Sequence, residues 1–381
     1  MQDGKEARAV PERGARLTHL DRARVFLTLL VVAHHAAITY GAEGSWPYRE
    51  GATDGLSPVV LSLFCGINQS FFMSAFFVLA GYFCPSSLAR KGTRAFIADR
   101  LLRLGTPIVV YNLVLVVAND WMLSRLPGAA PFDGSLSLRF GPLWFLQALL
   151  VASIAYALVA RVVPSLGRVA AGEARAEFPN DRVLLAWIAV LALCTYLTRI
   201  WLPMGVWAVF IEPAHLVHYV VAFCAGVVAG RHGWLAHVPT DLSRRWARRA
   251  VVVLIALPVV GIGLGALTDP SVMSLLMGGP GPAAAFYAVW ETILMVALTL
   301  LAVAHFERVG ESTWVARFTP ADAFGAYIVH QTVLLSLAVG MASLPIPSVL
   351  KFVLLTSVGA VASFALARAS RALPGARRIL G

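Results

Sequence analysis

Long apolar runs constrain the fold of this chain more than any other feature of its sequence. Runs of about 20 residues, long enough to cross the hydrocarbon core of a bilayer, recur between Pro, Gly and charged clusters. Within lipid, every backbone N–H and C=O must be paired inside its own segment, so each run is predicted to be a helix. Ten spans are predicted, at residues 23–42, 57–84, 101–123, 142–163, 183–202, 213–231, 249–267, 283–305, 321–343 and 348–368.

Composition indicates a polytopic membrane protein and excludes a soluble one. Hydrophobic residues make up 59% of the chain and charged residues only 13%, against about 25% charged in soluble proteins. The net charge of +11 does not indicate a nucleic-acid partner, because the basic residues lie between apolar runs, where they orient a membrane protein and contact anionic headgroups. The cysteines lie inside apolar runs without metal-ligand spacing, so buried thiols, no disulfide and no metal site are predicted. They are Cys65, Cys84, Cys194 and Cys224.

The distribution of Lys and Arg predicts the orientation of the chain. With the N-terminus in the cytoplasm, all but five of the 31 basic residues fall on the cytoplasmic side of the ten spans, as the positive-inside rule requires. We therefore predict an all-α integral membrane protein with both termini cytoplasmic. A disordered tail is predicted at 1–20, one membrane domain at 21–370 and a basic tail at 371–381. The five basic residues assigned to the outer side are Arg49, Arg125, Arg139, Arg199 and Lys351.

Ionisable side chains inside a span are costly and therefore mark functional candidates. Arg24 and His35 of the first span are 11 residues apart, close to three helical turns, so they share a face and lie about 16 Å apart along the axis. A guanidinium at the cytoplasmic mouth and an imidazole deep on the same face predict a polar tunnel. His34 leaves the helix about 100° away from His35. Glu291 and His330 are further candidates, with interhelical hydrogen bonding as the alternative role.

A basic segment follows the second span on the predicted cytoplasmic side. Arg100 and Arg103 are three residues apart and therefore neighbours on a helix face. Two guanidiniums held together suit a phosphate-bearing ligand, and Arg94 belongs to the same segment. Ordinary membrane anchoring is the alternative, mainly for Arg90 and Lys91.

Six short motifs occur in order along the predicted spans. They are Arg24 followed by ten residues and His35, Phe76-Phe-Val-Leu-Ala-Gly81-Tyr82, Arg100-Leu-Leu-Arg103, Gly141-Pro-Leu-Trp144-Phe145-Leu146, His218-Tyr219 through Arg231-His-Gly-Trp234, and Tyr327-Ile-Val-His330. Their order from Asp21 to about residue 345 resembles acyltransferase family 3, which includes O-antigen and exopolysaccharide acetylases, macrolide acyltransferases and glucan-biosynthesis succinyltransferase-like proteins. The chain departs from the family pattern at Ala80, usually Ser, at Pro142, often His, and at His218, often Gln. Independently of the resemblance, Gly81 among bulky aromatics predicts close backbone approach by another helix or a ligand.

The resemblance implies transfer of a short acyl group, acetyl or succinyl, from acetyl-CoA or succinyl-CoA in the cytoplasm to a hydroxyl of a carbohydrate acceptor. The expected location is the bacterial inner membrane, with acyl-CoA as a substrate and no permanently bound cofactor. In the family the first-span histidine is essential, which carries over to His35 as general base. The other assigned residues are His330 as an orienting group or alternative base, Arg24 at the tunnel mouth, Glu291 as a partner of a histidine or of acceptor hydroxyls, and Arg94, Arg100 and Arg103 on the CoA phosphates.

A proton-coupled transporter is the alternative from another functional class, because buried His and Glu also form proton relays. Transporters often contain broken helices in repeated halves, and the sequence shows no such repeat. A purely structural scaffold would explain neither the Arg–His spacing nor the paired arginines. The acyl group, the acceptor and a covalent acyl-histidine intermediate stay open at this point.

Overall fold

A computed structural model shows the chain folded as a bundle of helices. It describes residues 17–52, 54–134, 139, 141–169, 176–208, 211–265, 272, 274–310 and 314–380. Within these residues the one β feature is an isolated bridge between Ala208 and Ile211. Ten helices of the described residues are long and apolar enough to cross a membrane, which confirms the predicted all-α, ten-span fold. They are α1 Thr18–Thr39, α2 Leu56–Lys91, α3 Thr93–Leu123, α4 Gly141–Val162, α5 Asp181–Trp201, α6 Pro213–His232, α7 Thr240–Gly263, α8 Pro282–Val309, α9 Pro320–Gly340 and α10 Ser348–Ser370.

Several helices extend beyond the apolar runs that predicted them. The run 57–84 belongs to a helix that continues to Lys91, and α3 begins at Thr93 instead of 101. Gly92 alone separates the two, with a φ of 73° that favours glycine. The basic segment between these runs is therefore helical. Helical hydrogen bonding does not stop where the lipid does, because polar residues at a membrane surface are compatible with a helix.

The structure describes part of each predicted tail. The first helix begins at Thr18, inside the stretch 1–20 that was predicted as disordered, and Leu20 is fully buried. Residues 1–16 lie outside the described residues. In the predicted basic tail 371–381, the Arg371 guanidinium donates to Asp322 at 2.6 Å. The short helix Ala376–Leu380 lies on α9, and Gly381 is outside the described residues.

The helices that carry the candidate histidines and Glu291 are central to the bundle. In α1, α8 and α9 the buried share of the most apolar window is 67%, 67% and 61%, whereas it is 28% or less in α3, α5 and α7. The first helix packs against α2, α8, α9 and α10. Side chains of α1 therefore face other helices almost all the way round, and polar groups on it must find partners inside the protein.

Three glycines let α2 and α6 pack backbone against backbone. Gly81 of α2 lies directly on the backbone of α6, while Gly226 and Gly230 of α6 lie on the carbonyl groups of Val78 and Tyr82. A Cβ atom at any of these glycines would overlap a facing carbonyl oxygen. The close approach predicted at Gly81 is confirmed, and its partner is a helix.

Burial of the cysteines differs from the prediction for two of the four. Cys65 and Cys84 are buried, but Cys194 and Cys224 are exposed on the faces of α5 and α6. An apolar residue of a membrane helix is stable on a lipid-facing surface, so position inside an apolar run does not distinguish the core from the lipid boundary.

Candidate active site

A hydrogen-bonded pair of histidines lies between α1 and α9. Nδ1 of His35 is 3.0 Å from Nε2 of His330, and Nδ1 of His330 is 2.5 Å from the carbonyl oxygen of Tyr327. A carbonyl oxygen can only accept, so Nδ1 of a neutral His330 carries the hydrogen and its Nε2 accepts. His35 therefore donates from Nδ1, and the lone pair of its neutral ring is on Nε2. The geometry fixes the tautomer of both rings.

The loop between α1 and α2 covers this pair. Trp46 stacks on His35 with ring centroids 4.1 Å apart and an angle of 14° between the planes. Its indole Nε1 is buried and has no hydrogen-bond partner among the described residues. The rings of His35 and His330 are themselves nearly parallel, at 19°. Trp46 is the site residue that sequence reasoning missed, because no motif or span boundary marks an aromatic residue in a loop.

Glu50 fastens the Trp46 loop on the C-terminal side of its tip. Glu50 forms an ion pair with Lys351 of α10, and its backbone N–H donates to the Thr39 carbonyl at 3.0 Å. Lys351, assigned from sequence to an outer segment, is a buried helix residue. At the start of the loop, burial raises the pKa of Tyr40 above its ordinary value, so its hydroxyl stays protonated. The two contacts of Glu50 hold the loop in the position where the indole of Trp46 covers the imidazole of His35.

His34 lies on a different side of α1, as the helical spacing predicts. Its ring is at 88° to the ring of His35 and stacks on Phe72 of α2 with centroids 5.1 Å apart. Nδ2 of Asn68 is 3.5 Å from Nδ1 of His34. His34 therefore faces α2, while His35 faces α9.

Arg24 lies three turns from His35 on the same face of α1. Its Nη1 is 3.1 Å from Oδ1 of Asp21, and its guanidinium lies 4.4 Å from the centre of the Phe83 ring. Between Arg24 and His35 this face carries Thr28 and Val31, which are only 2% and 1% exposed. Packed side chains therefore occupy this face between Arg24 and His35, and neither Thr28 nor Val31 lines an exposed passage.

The predicted phosphate-binding arginines lie at a change in helical winding. Arg100 ends a stretch of α-helix, and Arg103 lies within the π-helical segment Leu101–Gly105, a feature often found at functional sites. Nε of Arg100 is buried without a hydrogen-bond partner among the described residues. Asp99 lies 3.3 Å from Nε of Arg103 and 2.8 Å from Nζ of Lys91. Arg103 is thus partly neutralised by Asp99, but its buried Nε, like that of Arg100, has no hydrogen-bond partner among the described residues.

Arg94 is not brought together with these two arginines. It is exposed in the first turn of α3, six residues before Arg100 and therefore about 120° away around the helix axis. A ligand held by Arg100 would not contact Arg94 without bending over the helix surface.

Glu291 belongs to a second buried cluster of charged residues. Its Oε2 is 2.6 Å from Nη2 of Arg199, and its Oε1 is 3.4 Å from Nδ1 of His215 and 3.5 Å from Nδ1 of His218. The sequence predicted that Glu291 is a partner of a histidine, and its carboxylate contacts His215 and His218 but not His35. Arg199, assigned from sequence to an outer segment, is a fully buried residue of α5. Among the described residues no group of three or more His, Cys, Asp or Glu could hold a metal ion.

Residues from three distant parts of the chain meet beside His330. The hydroxyl of Tyr327 donates to the carbonyl oxygen of Pro142, and the hydroxyl of Tyr111 donates to Oε1 of Gln331 at 2.5 Å. Pro142 contributes only its backbone carbonyl to this contact, which any residue would provide. These bonds fix α9 against α3 and α4 and so fix the position of His330.

A ten-helix membrane bundle with a covered histidine pair at its centre defines a polytopic membrane protein with a site suited to proton transfer. The acyltransferase 3 family, whose shared region is described as an acyltransferase domain, matches residues 17–368. The chain belongs to this family and is a membrane acyltransferase. This result favours the enzyme over the transporter that the sequence alone left as the alternative.

Relatives of known name match a smaller part of the chain. The chain is 28% identical over 151 residues to the glucans biosynthesis protein C of Escherichia coli strain K12 and to that of strain SMS-3-5. The matched region covers 37% of this chain and 38% of each relative. The chain therefore spans little more than a third of the length of these relatives.

Proposed function

We propose that this acyltransferase moves a short acyl group, acetyl or succinyl, from cytoplasmic acyl-CoA to a hydroxyl of a carbohydrate acceptor at a bacterial inner membrane. Family membership supports the reaction type, and the name of the relatives supports a glucan-like acceptor. The observation that carries the mechanism is the hydrogen-bonded series from the Tyr327 carbonyl through His330 to His35. That series leaves Nε2 of His35 free to act as a base.

During the reaction the enzyme takes one proton from the acceptor hydroxyl and returns one proton to the CoA sulfur. Nε2 of His35 accepts the proton of the acceptor hydroxyl while that oxygen attacks the thioester carbonyl carbon. The tetrahedral intermediate then collapses, the C–S bond breaks, and the His35 imidazolium returns the proton to the CoA sulfur. The products are an ester and free CoA. His330 orients the ring of His35 and accepts its Nδ1–H throughout, which makes it a positioning residue.

Arg100 and Arg103 are the proposed contacts for the phosphates of acyl-CoA. The buried and unpaired Nε of Arg100 supports an anion site at this position. A phosphate would compete with Asp99 for Arg103, which lies 3.3 Å from that carboxylate. Thr28 and Val31 are packed on the face of α1 between Arg24 and His35, so a donor that followed this face would require these side chains to separate.

The charge distribution supports the proposed orientation, with both termini in the cytoplasm. Two basic residues that the sequence placed on the outer side, Arg199 and Lys351, are instead buried within helices and paired with carboxylates. Only three basic residues then remain in the segments assigned to the outer side, which strengthens the asymmetry on which the positive-inside rule depends. They are Arg49, Arg125 and Arg139.

The base assignment is tested by comparing His35→Ala with His34→Ala in lipid nanodiscs. Purified protein is given acetyl-CoA or succinyl-CoA with a linear β-gluco-oligosaccharide, and acylated sugar is quantified by mass spectrometry. We expect His35→Ala to lose about 10²–10⁴-fold in turnover and His34→Ala to stay much closer to wild type, since its ring faces α2. An amount of transfer above about a tenth of wild type in His35→Ala, below the effect of losing a general base, would remove the base assignment.

A further inference from the structure

A groove of about 820 Å³ lies between α1, α2, α7 and α8, separate from the histidine pair. Most of its wall is apolar and is formed by side chains from three of these helices. They include Phe26, Leu30, Phe64, Ile67, Phe71 and Leu301.

The groove is on the wrong side of α1 to serve the proposed transfer reaction. Phe26 precedes His35 by nine residues, which places the two side chains about 180° apart around the helix axis. Leu30 is four residues from His34 and shares its side of the helix. A molecule in the groove would therefore lie behind α1 and could not reach Nε2 of His35.

One end of the groove is basic. Arg244 from the first turns of α7 and His305 and Arg308 from the last turns of α8 line this end. Arg308 is held in place, because its Nη2 donates to Oγ of Ser243 at 2.8 Å and its Nε donates to the Ala304 carbonyl at 3.2 Å. Arg244 is exposed. The arrangement presents two guanidiniums at one end of an apolar groove.

We infer that this groove binds one anionic phospholipid, with its phosphate between Arg244 and Arg308 and an acyl chain along the apolar wall. Basic pockets between membrane helices recognise lipid phosphates in this way. A soluble anion would leave the apolar wall uncovered, and an uncharged lipid would leave the guanidiniums without a counter-charge. The wall of α8 from Leu298 to Arg308 is about 15 Å long, enough for a substantial length of one extended chain.

A lipid in this groove would lie against the place where α1 and α2 pack on each other. Asn68 lines the groove and its Nδ2 donates to the Leu30 carbonyl at 3.1 Å, joining α2 to α1 where the groove wall is formed. A chain lying there fills the space between this pair and the α7/α8 pair. Occupancy should therefore stabilise the whole bundle.

Native mass spectrometry of the full-length protein, titrated with phosphatidylglycerol or phosphatidylcholine, tests the inference. We expect the wild type to retain one phosphatidylglycerol and at least tenfold less phosphatidylcholine. Arg244→Gln with Arg308→Gln should weaken phosphatidylglycerol retention at least tenfold. Ala247→Trp, which fills the groove without changing its charge, should weaken it as well. The matched control is Arg161→Gln with Arg368→Gln, two exposed arginines at the ends of other helices, which should bind as wild type does.

Thermal unfolding provides the second measurement for variants that bind weakly. Phosphatidylglycerol should raise the Tm of the wild type and of the control, and should not raise that of either groove variant. Equal retention of the two lipids by the wild type would overturn the inference. Undiminished phosphatidylglycerol binding in the double arginine variant or in Ala247→Trp would also overturn it. An equal loss of phosphatidylglycerol binding in the control variant would do the same.

Discussion

Replacing His330 by alanine tests whether this residue sets the tautomer of His35. The substitution removes the acceptor at 3.0 Å from Nδ1 of His35, and the Val31 carbonyl remains as an acceptor beside the ring. Losing one hydrogen bond of this kind costs about 0.5–1.5 kcal/mol. The tautomer with its lone pair on Nε2 is disfavoured by that amount.

That cost converts to about a two- to 13-fold smaller population of the reactive tautomer, since 1.36 kcal/mol is a factor of ten. We expect kcat for transfer to fall by the same factor, less than the 10²–10⁴-fold expected for loss of the base itself. The KM for acyl-CoA should not change, because His330 does not touch the proposed phosphate site.

Two substitutions distinguish positioning from a structural effect. His330→Gln can place an amide oxygen near the position of Nε2, so it should recover most of the activity lost in His330→Ala. His35→Asn can keep a donor near the position of Nδ1 but has no base, so it should be as inactive as His35→Ala. Size-exclusion chromatography in detergent confirms that each variant is folded.

The assay is steady-state transfer from acetyl-CoA to the oligosaccharide over a range of donor concentrations. Activity of His330→Ala within twofold of wild type would refute the tautomer argument. Failure of His330→Gln to exceed His330→Ala would refute it too, because the glutamine retains an acceptor. A loss in His330→Ala equal to that in His35→Ala, with no recovery by glutamine, would make His330 as strong a candidate for the base as His35.

Three further predictions follow from other parts of the molecule. Trp46→Ala should increase release of free CoA in the absence of an acceptor, because the indole 4.1 Å from the His35 ring keeps water away; Trp46→Phe should not, and a thiol assay measures both. Arg100→Ala with Arg103→Ala should weaken CoA binding in calorimetry while changing kcat much less, and unchanged affinity would return both to membrane anchoring. Glu291→Gln should cost about 3–5 kcal/mol by leaving the Arg199 charge buried and unpaired, seen as a lower Tm, and an unchanged Tm would contradict the buried ion pair.

Apolar run length was enough to predict the number and type of helices, because lipid permits little else over 20 residues. Helical periodicity was also enough to separate His34 from His35, since the angle between consecutive residues is a property of the helix. The same reasoning was unreliable at helix ends. Arg199 and Lys351 were counted on the outer side by alternating the sides of the spans, and that count did not indicate that each is buried against a carboxylate.

Pairing between distant residues was beyond what spacing can predict. His35 and His330 are 295 residues apart, and only the packing of α1 against α9 brings them together. The sequence could nominate both as ionisable residues in spans, but not the hydrogen bond that gives them different roles. Glu291 was nominated on the same grounds and is paired elsewhere. Trp46 carries no sequence signal because its role comes from where its loop folds.

The glycine contacts between α2 and α6 bear on how the bundle can move. If one of these helices slid or rotated against the other, a residue with a Cβ atom would clash with the facing backbone. The two helices can therefore move only together, as one rigid pair. Separation of Thr28 and Val31 from the side chains around them then requires α1, or its neighbours other than α2, to move relative to this rigid pair. Bulkier residues at Gly226 or Gly230 would force α2 and α6 apart. The rigid pair against which α1 moves during donor access would then be lost, even though neither glycine is near His35 in the sequence.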